Sequence, residues 1–321
     1  MVKPTVISIF AGGGGSSLGY KWAGFKELLA IDFDKNSCDV LKANFDFPVW
    51  QRDIKGIIPE EILSFCKIKK GELSILDGSP PCQGFSTTGK RKINDPRNEL
   101  FKEYIRLIDT LQPKVFIMEN VSGMIEGKMK GLFIEIMQTL KSLNYHIKCK
   151  LLNAKYYEVP QSRERLFFIG TRKDLNIEPS FPIPLNKIIS VREALENVPK
   201  DDNIKLPRGK MWEYGIKTKP GECVSKYHPL GHYFNSKRNR INSESFTIEK
   251  TFRESQCGVI HPFENRFHTI SEIKRLCSFP DSYILFGKFE ERWARLGNSV
   301  MPKQMYHIAK HIKNNILEKV D

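Results

Sequence analysis

One cysteine stands in a setting that suits a nucleophile. Cys82 follows two prolines and precedes a polar loop within the stretch Gly78–Ser86, and the apolar run Leu73–Leu76 before it predicts a strand. Each proline fixes φ near about −65°, so the thiol is held on a stiff strand-to-loop turn. A group that attacks a carbon atom needs such mounting, because a misplacement of about 1 Å is expensive in rate. Pro-Pro-Cys by itself is more typical of a structural turn, so the neighbouring motifs decide its interpretation.

A glycine-rich turn follows the first predicted strand, Val6–Phe10. Residues 12–15 are all glycine and a predicted helix begins after them, so backbone N–H groups can approach a ligand closely. Asp32 lies about 20 residues further on, where an acid can hold ribose hydroxyls, and Asp53 could bind an adenine amino group. No Gly-Lys-Ser/Thr follows the glycines, which argues against a Walker phosphate loop. A dinucleotide site and a plain tight turn stay open.

Two further polar motifs lie beside apolar runs. Glu119 follows the predicted strand Val115–Met118, and acids at the carboxyl ends of parallel strands point into the ligand crevice. Arg163 and Arg165 alternate before the apolar run Leu166–Ile169, so we expect them to point to the same side. Two guanidinium groups suit a phosphate or a carbonyl oxygen of a base. A loop-capping carboxylate and a solvated charged strand entry are the structural alternatives.

The composition is that of a globular but basic protein. The 321 residues carry a net charge of +14, which favours a polyanionic partner such as nucleic acid, although lysine-rich proteomes also contain basic proteins without one. The seven cysteines are scattered and form no Cys-x-x-Cys pair, so neither a zinc site nor a disulfide framework is predicted. No apolar run approaches the roughly 18 residues that span a bilayer. The N-terminus has no signal-peptide core, so we expect a cytosolic protein.

The order of predicted elements indicates an α/β fold with a second, loop-rich part. Strands alternate with amphipathic helices from Thr5 to about Arg172, which predicts a parallel sheet covered on both faces. The proline-rich residues 178–184 then read as a linker, and Ser190 and Glu193 have capping-box spacing. Residues 199–264 are polar with few helical patterns, and residues 303–320 predict a final amphipathic helix.

The motifs, taken together and in order, resemble those of the C5-cytosine DNA methyltransferase family of the bacterial restriction–modification type. The resemblance spans essentially the whole chain and is specific, because any single piece could be coincidence whereas five or six in family order are not. The matching pieces are Phe-Ala-Gly at 10–12, Pro-Pro-Cys-Gln-Gly-Phe-Ser at 80–86, Glu-Asn-Val at 119–121, Gln-x-Arg-x-Arg at 161–165, the segment 269–283 and Gly-Asn-Ser-Val at 297–300.

The resemblance implies a Rossmann-like catalytic domain that binds S-adenosylmethionine, formed by residues 1–180 and 287–321. A smaller, loop-rich target recognition domain with its hinge would occupy residues 181–286. The implied substrate is a specific sequence of double-stranded DNA, and a cognate restriction endonuclease that acts separately is left open. We expect a monomer in the prokaryotic cytoplasm, associated with the nucleoid and not with membranes.

The resemblance also implies site residues, position by position, and no metal site. The catalytic group comprises Cys82, Glu119, Arg163 and Arg165. The cofactor group lies in the glycine turn and at strand ends, and comprises Phe10, Ala11, Gly12, Gly13, Gly14, Asp32, Phe33, Asp53, Pro81, Leu100, Asn298 and Ser299. In the recognition region, Thr247 and Ile248 look like the family's short Thr-Leu/Ile pair. Apart from the resemblance, we predict DNA contacts in the polar loop after the cysteine (Gln83, Ser86 and Arg97) and in the basic recognition region (Arg238, Arg240, Arg253 and Gln256).

The family's chemistry fits these residue types. Cytosine C5 is too weak a nucleophile to take a methyl group unaided, but a thiolate that adds at C6 turns the ring into a reactive enamine. Glu119 would hold or protonate N3, and Arg165 would steady the O2 side. The base must leave the duplex stack to be reached.

Three other functions stay open at this stage. An RNA cytosine methyltransferase would keep the chemistry and change the substrate. A nicotinamide-dependent oxidoreductase would use the same glycine turn but gives no role to Pro-Pro-Cys or the arginine pair. A catalytically silent DNA-binding protein would not need Cys82 and Glu119.

Overall fold

The computed structural model describes residues 3–81, 99–125, 130–201 and 203–320, and for positions 99 and 132 it describes the backbone alone. Four predicted site residues, Cys82, Gln83, Ser86 and Arg97, lie outside the described residues. The chain forms two compact units. The first unit comprises residues 1–152, 164–183 and 305–321, and the second comprises residues 153–163 and 184–304.

The first unit is built on a seven-stranded sheet with strand order β3-β2-β1-β4-β5-β7-β6. The strands are β1 (Thr5–Ile9), β2 (Lys26–Asp32), β3 (Val49–Gln51), β4 (Ile75–Gly78), β5 (Val115–Val121), β6 (Tyr145–Asn153) and β7 (Glu164–Arg172). Strands β1 to β5 pair in parallel, and β7 pairs with β5 in antiparallel orientation. The predicted α/β class is confirmed.

The prediction of a wholly parallel sheet is wrong for β7. Only the single-turn helix Ala154–Tyr156 and a short loop connect β6 to β7, with no long crossover helix between them. A parallel neighbour needs a crossover of about a dozen residues or more, which usually contains a helix. The chain therefore returns along β5 in the opposite direction.

Helices cover the sheet with apolar stripes that the sequence spacing predicts. They are α1 (Gly15–Trp22), α2 (Lys35–Asn44), α3 (Pro59–Cys66), α4 (Glu99–Leu111), α5 (Lys130–Ser142) and, at the end of the chain, α10 (Pro302–Asn315). In α4 the buried side chains recur at helical spacing, and they are Phe101, Tyr104, Leu107, Ile108 and Leu111. They join the core formed with the inner face of the strands. Apolar burial of this kind supplies most of the stability of such helices.

The second unit has short elements, as its polar composition predicts. They are α6 (Val191–Leu195), α7 (Lys210–Gly215), β8 (Ser236–Arg238), β9 (Gly258–Ile260), α8 (Ile270–Leu276) and α9 (Phe289–Asn298). The predicted capping box is confirmed: the Ser190 hydroxyl accepts from the Glu193 N–H, and the Glu193 carboxylate accepts from the Ser190 N–H. Among the described residues no helix is both long and apolar enough to cross a membrane.

The compact units differ from the predicted domains at two segments, 153–163 and 287–304. Both were assigned to the catalytic domain, but both pack with the second unit. The cause is local bonding: Gln161 pairs with Ser245, and the indole of Trp293 donates to the carbonyl of Glu249 at 2.9 Å. Packing does not test which functional domain each segment serves, so that division stays a prediction.

We expect Gly170→Ala to lower the free energy of unfolding by about 1–3 kcal/mol. A Cβ atom at Gly170 would lie 2.0 Å from the ring of Phe116, which is itself buried on β5. Gly56→Ala is the matched control, because no atom lies within 4 Å of its Cβ position. Urea unfolding of the two variants tests this, and equal midpoints would contradict it.

Candidate active site

The first unit contains a cleft at the carboxyl ends of β1, β2 and β4. Its volume is about 230 Å³, and it lies beside the point where the strand order reverses between β1 and β4. Ligands of open α/β sheets bind at such a switch point. Six predicted cofactor residues line the cleft: Phe10, Asp32, Phe33, Asp53, Pro81 and Leu100.

The glycine turn is held in place by Asp32. The N–H of Gly12 donates to Asp32 Oδ2 at 2.8 Å, and the N–H of Asp34 donates to Oδ1 at 2.9 Å. Phe10 adopts φ 55°, a left-handed conformation that an L side chain rarely takes. Such strain occurs at functional sites, where surrounding bonds hold it. A carboxylate oxygen can accept more than one hydrogen bond, so a carboxylate at this position suits ribose hydroxyls.

Two exposed side chains at the cleft are suited to binding a flat aromatic ring. Phe33 is 73% exposed although it is large and apolar. Asp53 is also exposed, and its carboxylate caps a short helix by accepting from the N–H of Lys55 at 3.0 Å. An aromatic face beside a free carboxylate oxygen can stack on a base and accept from an exocyclic amine. The residues present therefore fit an adenosine group.

The remaining predicted cofactor residues lie in two places. Ala11 donates its N–H to the carbonyl of Ile31 at 3.2 Å, and Gly13 and Gly14 are buried in the turn. In the second unit, Asn298 is exposed at the end of α9. Ser299 is buried there, and its hydroxyl donates to the carbonyl of Arg295 at 2.7 Å.

Glu119 and Arg165 form an ion pair at the ends of β5 and β7. Arg165 Nε lies 3.0 Å from Glu119 Oε1, and the two side chains are 17% and 12% exposed. The antiparallel register, which pairs Val121 with Arg165, brings them together. Neighbouring Asn120 donates through Nδ2 to the carbonyl of Pro80 at 3.4 Å, so the end of β5 is joined to the chain two residues before Cys82.

The sequence predicts that Arg163 and Arg165 point to the same side of a strand. In the structure they do not. β7 begins at Glu164, so the alternation of side chains does not extend back to Arg163. In the second unit its guanidinium is buried and donates to the carbonyls of Ile248 at 3.1 Å and Gly297 at 3.0 Å. Arg163 therefore joins a loop to the last turn of α9, and its predicted role at a target base stays a prediction.

Arg238 is also internal, although the sequence predicts that it contacts DNA. Its guanidinium is buried and reaches four acceptors, namely the carbonyls of His261, Glu264 and Gly215 and the side chain of Asn265. Arg238 ends strand β8, and its side chain points into the protein. The spacing of residues in a loop-rich segment does not reveal this direction. A phosphate would have to displace these partners.

The other predicted DNA-binding residues divide into buried and exposed groups. The Ile248 side chain is fully buried, although the residue is predicted as a DNA contact, and the Thr247 hydroxyl donates to the carbonyl of Ser162 at 2.6 Å. Arg240 is partly exposed and lies 4.1 Å from the ring centroid of Phe246. Arg253 and Gln256 are exposed, with a hydrogen bond of 3.0 Å between their side chains.

Replacing Arg238 with methionine should lower the free energy of unfolding by about 3 kcal/mol or more, because buried carbonyls lose their donor. The salt dependence of DNA binding should stay unchanged. The exposed Arg253→Met is the control, with stability changed by less than about 0.5 kcal/mol. Chemical unfolding combined with DNA titrations at several salt concentrations tests both. Normal stability of Arg238→Met, together with a reduced salt dependence of DNA binding, would support the prediction that Arg238 contacts DNA.

The sequence reasoning missed two buried residues that hold the strand ends. Tyr104 on α4 is fully buried, and its hydroxyl lies 2.7 Å from the carbonyl of Ile117 and 3.0 Å from that of Leu76. Asp77 on β4 is 4% exposed and accepts from the Tyr20 hydroxyl at 3.2 Å. The available signal was an acid between the apolar run Leu73–Leu76 and Gly78.

Three possible metal ligands meet in the second unit, but they already bind one another. His261, His268 and Glu272 lie within 4.8 Å, while Arg266 donates to both oxygens of Glu272 at 2.7 and 3.0 Å. Burial favours a raised pKa for Glu272, but the hydrogen bonds from His268 and Arg266 outweigh it and lower that pKa. The donor set is thus that of a buried ion-pair network.

Comparison with known proteins identifies the family. Residues 4–314 match the family model described as C-5 cytosine-specific DNA methylase. The chain is 34% identical over 328 residues to the Type II methyltransferase M1.HphI of Haemophilus parahaemolyticus, covering 96% of this chain and 86% of the relative. It is 33% identical over 346 residues to M.FnuDI of Fusobacterium nucleatum, covering 98% and 95%.

Solved structures of methyltransferases resemble this chain as well. A protein described as a DNA modification methyltransferase of an E. coli prophage superposes with a TM-score of 0.80 and 26% identity, covering 98% of this chain and all of the other. The Entamoeba histolytica methyltransferase EhMeth, with a TM-score of 0.73, 19% identity and full coverage of both chains, shares the fold. The chain therefore belongs to the C-5 cytosine-specific DNA methylase family and is a DNA cytosine methyltransferase.

Proposed function

We propose that this chain transfers a methyl group from S-adenosylmethionine to C5 of a cytosine flipped out of a specific duplex DNA sequence, through a transient bond between Cys82 and C6. The observation that carries the proposal is the Glu119–Arg165 pair. Asn120, next to Glu119, donates to the carbonyl of Pro80, and Pro80 stands two residues before Cys82 in the chain. A carboxyl group and a guanidinium held together match the N3 and O2 edge of cytosine.

The proposed chemistry assigns one step to each residue. The Cys82 thiolate adds to C6 while Glu119 holds or protonates N3, so the electron pair of the C5–C6 double bond becomes available at C5. Arg165 donates to O2, and its contact with Glu119 keeps both groups oriented. After methyl transfer a base removes the C5 proton, the C5–C6 double bond re-forms, and Cys82 leaves as the thiolate.

The cleft of the first unit supports binding of the methyl donor. The cofactor supplies an electrophilic methyl group on a positively charged sulfur. Asp32 would bind the ribose hydroxyls, Phe33 would stack on the adenine, and Asp53 would accept from its amino group. The exposure of Phe33 and the location of all three on one cleft support these roles.

The biological setting follows from the relatives. M1.HphI and M.FnuDI are Type II methyltransferases, so we place this chain in a restriction–modification system with a separate endonuclease. The proposed state is a cytoplasmic monomer bound to duplex DNA. The catalytic domain (1–180 and 287–321) and target recognition domain (181–286) are proposed as functional divisions of the chain.

Transfer of radiolabelled methyl groups to duplex DNA and to tRNA tests the function. We expect label in DNA only, recovered as 5-methylcytosine after digestion to nucleosides. Label in tRNA alone would favour the RNA methyltransferase alternative, and label in neither would overturn the proposal. Bisulfite sequencing of DNA from an expressing strain then gives the target sequence.

A further inference from the structure

Two acids beneath the glycine turn have no part in the proposed reaction. The carboxyl group of Asp77 accepts from the hydroxyls of Tyr20 and Ser16, and that of Glu27 accepts from Ser17 at 2.9 Å. The two serines are neighbours in the first turn of α1, directly after the glycines at 12–15. One hydroxyl therefore links each acid to the start of this helix.

Asp77 lies close to the cofactor cleft, whereas Glu27 lies further away. Asp77 is paired with Ser8 in the parallel register of β1 and β4. Phe10, in the cleft wall, stands two residues beyond Ser8, which is about 7 Å along the strand. Glu27 stands four residues before Ile31, the first residue of β2 that lines the cleft, which is about 13 Å along the strand.

The surroundings of Asp77 contain other acids but no cation among the described residues that interact with it. Tyr20 of α1 and Tyr104 of α4 face it, as do Glu27 of β2 and Glu119 of β5. Burial raises the pKa of Asp77 to about 7, opposed by the hydrogen bonds from Tyr20 and Ser16 and supported by the charge of Glu119. Its negative charge is therefore poorly compensated by the protein itself.

We propose that Asp77 is a specificity-determining residue that favours the positively charged methyl donor over its neutral, demethylated product. This inference rests on the proposed function, in which the donor is S-adenosylmethionine and the product S-adenosylhomocysteine. The two ligands differ by one methyl group and one unit of charge, so a nearby carboxylate is a natural discriminator. Over about 10 Å, with an effective dielectric constant of about 20–40, one charge changes the affinity of a cation about 4- to 16-fold.

The sign of the pH dependence follows from this charge. Protonated Asp77 cannot discriminate, so the preference is small at low pH. It grows as pH rises through about 7, where Asp77 ionises. Because the donor stabilises the ionised form, its binding releases a few tenths of a proton near neutrality, whereas binding of the product does not. The sulfonium lowers the pKa of the donor's α-amino group relative to the product's, so affinities and proton counts are expressed for the ammonium form of each ligand, whose fraction comes from titration of the free ligand.

Isothermal titration calorimetry with both ligands tests the inference on the wild-type protein without DNA. We expect the affinity ratio of donor to product to rise about three- to sixfold between pH 6 and pH 8. Buffers of different ionisation enthalpy count the protons released. Asp77→Asn should give a ratio that does not change with pH, with the product's affinity within about twofold of wild type.

Glu27→Gln is the matched control, since it makes the same chemical change at the acid further from the cleft. It should keep the pH-dependent ratio. A wild-type ratio that is independent of pH, with equal proton release for both ligands, overturns the inference alone and does not depend on any variant folding. A pH-dependent ratio that persists in Asp77→Asn also overturns it. Failure to bind either ligand overturns the cofactor proposal together with this one.

Discussion

Cys82→Ser is expected to reduce methyl transfer by about ten-thousand-fold or more and to abolish the covalent adduct with DNA that carries 5-fluorocytosine at the target. Serine is close to cysteine in size but supplies no appreciable alkoxide near pH 7, so C6 is not attacked and C5 is not activated. In the wild type, fluorine at C5 blocks the final elimination, so the adduct accumulates in the presence of the methyl donor. Denaturing gels with labelled DNA measure the adduct, and filter binding measures the transfer.

Cys66→Ser is the control for this experiment. Burial raises the pKa of the Cys66 thiol to about 11, so it remains protonated and unreactive near pH 7. This variant should keep both the adduct and the transfer rate within about twofold. An adduct that persists undiminished in Cys82→Ser would show that another group attacks the base, and the proposed mechanism would be abandoned.

Glu119→Gln is expected to lower kcat by about a hundred- to a thousand-fold, with a smaller effect on the KM for DNA. Glutamine preserves the shape and can still hydrogen-bond, but it cannot transfer a proton to N3 as negative charge develops there. Arg165→Lys should lower kcat less, by about tenfold to a hundred-fold. It keeps the charge but loses the planar fork that bonds Glu119 at 3.0 Å. Steady-state kinetics and single-turnover methylation separate chemistry from binding.

Glu164→Gln provides the matched control, because the exposed Glu164 stands next to Arg165 at the start of the same strand. Its kcat should stay within about twofold of wild type. If Glu119→Gln were as active as this control, N3 activation by Glu119 would be excluded. If Arg165→Lys lost more activity than Glu119→Gln, the guanidinium would carry the larger share of the stabilisation.

The sequence predicts well which residues meet in the cleft of the first unit, because these residues come from local patterns. The strand before the glycines places Phe10, and the strand ending at Asp32 places both that acid and Phe33. Parallel strands bring their carboxyl ends to one edge of the sheet, so three separate motifs meet without further information. Six of the predicted cofactor residues line the same cleft for this reason.

The direction of the arginine side chains was less predictable. Arg163 and Arg165 are two residues apart, yet Arg165 bonds Glu119 while Arg163 bonds the carbonyls of Ile248 and Gly297. The difference depends on where β7 begins, and strand boundaries are the least certain part of a pattern. Arg238 shows the same limit, because charge alone does not reveal that four internal acceptors surround a guanidinium.

By itself, the sequence determined the family, the α/β class and the chemistry that its cysteine, acid and arginine motifs can perform, since these depend on residue type and order. Only the tertiary structure decided which cations are internal, that β7 runs antiparallel to β5, and that Asp77 lies buried near the cleft with no cation among its described partners. The physical reason is that burial and charge compensation depend on segments far apart in the chain, such as Tyr20, Asp77 and Glu119, and no local spacing records their distance in space.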